Sequence, residues 1–232
     1  MGKKSGIIDG IKEAIFPLFV YYLVSNLLQI VGLTYLESIR ESVPFSMGKG
    51  EGFLIVRGVV LMTSFFLTTL CVFPYYQKEK VFFAKERKGL KKEWILIPVA
   101  AAVLAIGCNY LWSFLPFFRE NEAYEAVAKH QYSYPLWLGL LLYGLAAPLA
   151  EEVMFRGILY PIFRRTSGII FGILLSSFLF GVFHGNVVQA SYGMVMGVIM
   201  AYVYEKYGTL KAPLLFHSGA NVAIYMLQNI LK

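Results

Sequence analysis

Seven apolar runs dominate this chain, at about residues 14–36, 53–76, 94–116, 136–163, 168–185, 188–205 and 212–231. Roughly 20 apolar residues make a helix long enough to cross a bilayer. Seven such runs within 232 residues leave too little polar chain to cover them in water. In lipid every backbone polar group must be satisfied inside the chain, so the runs are predicted to be helices. The expected fold class is all-α, a polytopic transmembrane bundle of seven or eight helices. Charged residues are only 15% of the chain, against roughly 25% in soluble domains. The first run exceeds a signal-peptide core and lacks a small-residue cleavage site, so it is read as a retained span. One membrane domain over residues 1–232 is expected.

The formal charge of +7 would suggest nucleic acid in a soluble protein. Here the basic residues gather between apolar runs, which points to membrane orientation instead. Fourteen lie on one side, including Lys3, Lys4 and Lys12, the 77–93 loop, Arg164 and Arg165, and Lys206 and Lys211. Five lie on the other: Arg40, Lys49, Arg119, Lys129 and Lys232. This split predicts a cytoplasmic N-terminus. Arg57, one turn into the second run, is expected to snorkel to the nearer surface. Residues 117–134, with Glu120, Glu122, Glu125 and His130, read as a short amphipathic surface helix. Cys71 and Cys108 stand alone in apolar runs and make no disulfide or zinc pattern.

Chemistry is confined to the second half, residues 135–231, while 1–134 supply N-terminal spans and loops. Glu151, Glu152 and Arg156 lie inside the run 136–163. Each charge at bilayer depth costs roughly 2.5–3.5 kcal/mol on insertion scales. Glu152 and Arg156 are spaced i, i+4 and share a helix face, as a mutual brace would. Glu151 points about 100° away and has no partner in its own helix. Pro148 removes a helical donor one turn earlier and frees the Gly144 carbonyl. The fifth run carries Phe180-x-x-x-His184, and the seventh carries His217-x-x-x-Asn221. All these polar groups need partners in a medium without water, and one another is the available supply. Gly193-x-x-x-Gly197 is read as a packing face, as are Ser218 and Gly219. No G-x-S-x-G and no serine or cysteine nucleophile accompanies the histidines.

In that order on successive apolar helices, Glu151-Glu152-x-x-x-Arg156, Phe180-x-x-x-His184 and His217-x-x-x-Asn221 resemble the CAAX prenyl protease and bacteriocin-processing family. Bacterial members are often called abortive-infection or bacteriocin self-immunity proteins. The resemblance implies an intramembrane endopeptidase of a bacterial cell membrane, cutting a peptide bond with activated water. Glu151 would be the general base, and His184 would orient the water. His217 and Asn221 would stabilise the oxyanion, and Glu152 and Arg156 would brace the site. It implies a peptide or protein substrate, membrane-associated or lipidated, with membrane lipid around it and no nucleic acid.

The residues leave two mechanisms open. No cofactor is required, yet Glu151, His184 and His217 also make a common catalytic zinc set with a place for water. The spacing lacks H-E-x-x-H. Two other functions fit the same polar cluster: a non-catalytic binding or self-immunity protein, and a small transporter using it as a proton relay. No inverted repeat supports the transporter. One obstacle is geometric. Straight, upright helices would spread Glu151, His184 and His217 over ~19 Å of depth. A single site therefore predicts tilted, uneven helices around a polar chamber.

Overall fold

A computed structural model describes residues 6–40, 42, 50–82, 92–116 and 121–231. Every regular element among them is helical, and they form eight helices. These are α1 (Ile7–Ser38), α2 (Gly50–Phe82), α3 (Glu93–Ser113), α4 (Glu122–Gln131), α5 (Leu136–Ser167), α6 (Ile169–Val182), α7 (Val187–Tyr207) and α8 (Lys211–Ile230). Helices α1, α2, α3, α5 and α7 are long and apolar enough to cross a membrane. The chain is an integral membrane protein.

Two of the seven drawn spans fall outside that set of five. Helix α6 has only 14 residues, about 21 Å of rise, and falls short of a hydrocarbon core of about 30 Å. Helix α8 has 20 residues but carries His217, Ser218 and Asn221 and is not among the five. The amphipathic surface helix is present as α4, with His130 exposed. Residues 117–120 and most of the basic 77–93 loop lie outside the described residues.

Helix α5 is the axis of the bundle. The most apolar stretch of α5 is 61% buried, against 17–39% in the other four long spans. Its backbone is not a uniform α-helix. Two π-turns, Leu142–Ala146 and Phe155–Leu159, flank the α-helical turns Ala147–Met154 that carry both glutamates. The Ala147 N–H donates to the Leu142 carbonyl, and the Tyr160 N–H to the Phe155 carbonyl. A proline follows each of these donors directly, Pro148 and Pro161. A proline ring clashes with the carbonyl four residues back and offers no N–H, so a wider turn relieves both problems. The residues four back are Gly144 and Gly157.

Small residues let the other helices close on α5 and on one another. A Cβ at Gly139 would stand 1.9 Å from the Tyr225 ring, and one at Gly219 would stand 2.6 Å from the Pro98 backbone. Helix α3 therefore packs along α8, as α6 packs along α7, where Gly193 faces the Gly181 backbone. Arg57 lies about two turns into α2. It sits half-buried beside Tyr134, with Nε unpartnered among the described residues.

Candidate active site

The polar groups expected to need one another meet around the middle of α5. Glu152 is fully buried, and its Oε1 accepts from Arg156 Nη1 at 2.8 Å and from His217 Nδ1 at 2.9 Å. Arg156 is equally buried. Its Nη2 donates to the Gly197 carbonyl at 3.2 Å, and its guanidinium lies 4.4 Å from the centre of the Phe180 ring. Glycine at 197 leaves room for this contact, because a Cβ there would stand 3.3 Å from Nη2 and 3.0 Å from Ser177. The glycine pair read as a packing face thus also opens a carbonyl to the arginine.

Glu151 is built differently from its neighbour. Its side chain is 21% exposed, where that of Glu152 is 0%. Its Oε2 faces His217 Nε2 at 3.6 Å. His217 therefore stands between the two carboxylates. A carboxylate can only accept, so Nδ1 carries the hydrogen given to Glu152, and in the neutral ring Nε2 presents a lone pair to Glu151.

His184 lies beyond the end of α6, in the turn 183–186, and not on the helix as the spacing suggested. The Phe180 face is kept all the same, because His184 Nδ1 donates to the Phe180 carbonyl at 2.9 Å. A carbonyl cannot donate, so Nε2 of the neutral ring is left as an acceptor. Gly185 makes the turn with φ of 75°, a conformation open to glycine. Asn186 caps α7, accepting from the Gln189 N–H at 2.9 Å and donating to the His184 carbonyl at 3.4 Å. Asn221 donates from Nδ2 to the Tyr143 carbonyl at 2.9 Å, inside the first π-turn of α5.

Glu151, His184, His217 and Asn221 line one cavity of about 230 Å³. The depth obstacle disappears for two reasons. Helix α5 continues to Ser167 before the turn at Gly168. From Ile169, His184 is then reached after ~22 Å of rise, close to the ~20 Å between Glu151 and Arg164. At the other end, Leu210 and Lys211 share a groove with Leu149 and Val153. Helix α8 thus begins level with the turns of α5 that carry the glutamates, and six residues suffice to reach His217.

The alternative zinc set, Glu151, His184 and His217, is not assembled. Among the described residues no three His, Cys, Asp or Glu side chains converge as metal ligands. His217 is turned between two carboxylates, and the three residues as arranged do not fit a metal.

Several residues that build the site had no role assigned from the sequence. Phe180 is the hub of the site: His184 and His217 meet its ring edge-on at 4.9 and 5.6 Å. Asn186 holds the His184 turn, and its position before a helical run was a readable cap signal. Tyr21 of α1 is buried within electrostatic reach of both glutamates. The aromatic wall formed by Trp112, Tyr132, Tyr143 and Tyr192 had no motif to announce it.

Comparison with known proteins bears on the second half of the chain. Residues 133–223 match the family model described as Type II CAAX prenyl endopeptidase Rce1-like. A Bacillus subtilis protein named "Putative membrane peptidase YdiL" is 23% identical over 144 residues. The match covers 53% of this chain and 58% of that relative. No solved structure matches the chain significantly.

Proposed function

We propose, from the match of residues 133–223 to the Rce1-like CAAX endopeptidase model, that the chain is an intramembrane peptidase using a water activated by Glu151 and His184. The observation that carries this reading is the division of labour around His217. Glu152, buried and held by Arg156, fixes one ring nitrogen, and the partly exposed Glu151 faces the other inside a cavity.

The steps follow from the hydrogens available. His184 Nε2 accepts from a water, and Glu151 removes that water's second proton as its oxygen attacks the scissile carbonyl carbon. The carbonyl π-electrons move to oxygen. Asn221 has one Nδ2–H committed to Tyr143 and a second to offer that oxyanion. His217 can donate from Nε2 only after gaining a proton, and Glu151 at 3.6 Å is placed to share the one it has taken. Collapse of the intermediate breaks the C–N bond, and the same proton leaves on the amine. Glu152 remains the counter-ion of Arg156 throughout, and becomes that of His217 once its ring is protonated. The excess of basic residues in the loops beginning with Lys3 and Lys4 supports an N-terminus in the cytoplasm, and the Bacillus relative supports a bacterial cell membrane.

The test uses purified protein and a panel of fluorogenic peptides. Glu151→Gln and His184→Ala should each lower kcat/KM by roughly 10²–10⁴, the usual worth of an acid–base group, with unchanged melting. Cleavage by Glu151→Gln at the wild-type rate would remove the assignment.

A further inference from the structure

Beyond Glu151 the cavity wall is made of side chains that the hydrolytic steps do not use. They come from the end of α3 (Asn109, Trp112), from α4 and its exit (Gln131, Tyr132), and from the first turns of α7 (Gln189, Tyr192). Each combines an apolar body with a hydrogen-bonding tip. Trp112 Nε1 donates to Ser191 Oγ at 3.1 Å, and its ring meets Tyr192 edge-on at 6.4 Å, so α3 and α7 hold this wall together. Burial pushes the phenols of Tyr132 and the neighbouring Tyr124 above their usual range, so both keep their O–H.

Gln189 is fixed from behind and open in front. Asn186 accepts from its backbone N–H and donates to its Oε1. Its Nε2 reaches Gln131 Oε1 at 3.5 Å, the long limit of a hydrogen bond. A pair at that distance yields readily to a better partner. Helix α4, which carries Gln131, has no buried residue, so little holds it against moving by the ångström or so required.

We propose that this wall is a subsite for the main chain of an extended, unlipidated peptide, with Gln131 and Gln189 parting to bond its amide groups and Trp112 and Tyr192 packing on a side chain. The proposal rests on the peptidase reading. A peptide supplies a donor and an acceptor at every residue, which matches amides and phenols set in apolar rings. An isoprenoid chain supplies neither. It would cover the remaining amide hydrogens of Gln131 and Gln189 and offer them no acceptor, which costs free energy at each one. Sites built to hydrogen-bond a ligand reject analogues that cannot do so.

The experiment takes a cysteine-containing peptide that the wild-type chain cleaves and compares it with the same peptide farnesylated on that cysteine. Wild type should show at least tenfold higher kcat/KM for the free peptide. Gln131→Leu with Gln189→Leu should raise KM for the free peptide at least tenfold, leave kcat nearly unchanged and narrow the gap. If the double variant fails to fold, Gln131→Leu on α4 alone should give a smaller rise in KM of the same sign. A farnesylated peptide preferred tenfold by wild type, or an unchanged KM in folded variants, overturns the subsite and leaves the peptidase reading intact. Cleavage of neither peptide above the Glu151→Gln level overturns both.

Discussion

Helix α5 carries two glutamate–arginine clusters of similar chemistry in different surroundings. At its middle, Arg156 and Glu152 are both 0% exposed and are joined by His217 and the Gly197 carbonyl. At its end, Arg165 bonds Glu79 at 3.0 Å and Glu13 at 2.8 Å, with Lys78 reaching Glu13 at 3.3 Å, and Arg165 is 33% exposed. Beside it Arg164 takes Glu205 with two nitrogens, and the Tyr160 hydroxyl donates to the same carboxylate at 2.6 Å. The outer cluster ties α1, α2 and α7 to α5 where water competes for most of the charges. The inner one has no such competition, and among the described residues it leaves Glu152 Oε2 and Arg156 Nε unpartnered. A buried ion pair is weak evidence of stability, because desolvation offsets its attraction. Its retention points to what it holds in place, which here is the ring of His217.

The largest effect expected from this contrast is at Arg156. Arg156→Met leaves a buried carboxylate with only an imidazole beside it, and breaking a buried pair costs about 3–5 kcal/mol. Denaturation in mixed micelles should show that loss. Glu152→Leu combined with Arg156→Met removes both charges and should recover much of the stability, with cleavage still absent because His217 has lost its anchor. A double variant less stable than Arg156→Met alone would mean that the pair is there for stability.

The inner cluster was legible in the sequence and its supports were not. Glu152 and Arg156 lie one turn apart, so helical periodicity alone pairs them. His217, 65 residues further on, was expected at the site because charged and polar groups at membrane depth must find each other. Its place between the two glutamates depends on α8 starting level with the turns of α5 that carry them, which no local pattern encodes. The His184 turn was misread because Phe180-x-x-x-His184 satisfies helical spacing whether or not the helix continues. The histidine ring bonds the same i−4 carbonyl that a helical N–H would use. The aromatic wall escaped because its residues come from four elements, and a tyrosine in an apolar helix is equally at home at a lipid interface.

A smaller effect is expected at Asn186, which links the two levels. Asn186→Ala removes a helix cap, worth about 1 kcal/mol, and also frees the His184 carbonyl. Asn186→Asp keeps the acceptor for the Gln189 N–H and loses the donor to the His184 carbonyl, along with the one to Gln189 Oε1, whose amide can turn its Nε2 to the new carboxylate. The aspartate variant should therefore melt near wild type while its kcat falls. Equal kcat in Asn186→Asp and wild type would show that the cap alone sets the turn, and that the contact with the His184 carbonyl contributes nothing to catalysis.

The smallest effect belongs to the outer cluster. Exposed ion pairs are worth roughly 0–1 kcal/mol each, because water and side-chain entropy take back most of the attraction. Arg165 makes two such contacts, so Arg165→Gln should cost about 1 kcal/mol or slightly more, since Glu79 is itself only 2% exposed. Salt near 1 M, where the screening length is about 3 Å, should shrink the difference between Arg165→Gln and wild type. It should leave the Arg156→Met deficit unchanged. Peptide cleavage by Arg165→Gln should match wild type, because its partners Glu13 and Glu79 do not line the cavity. A salt-independent loss of the size seen at Arg156 would mean that burial does not separate the two clusters. The end of α5 would then have to be treated, like its middle, as a structure held for what it positions.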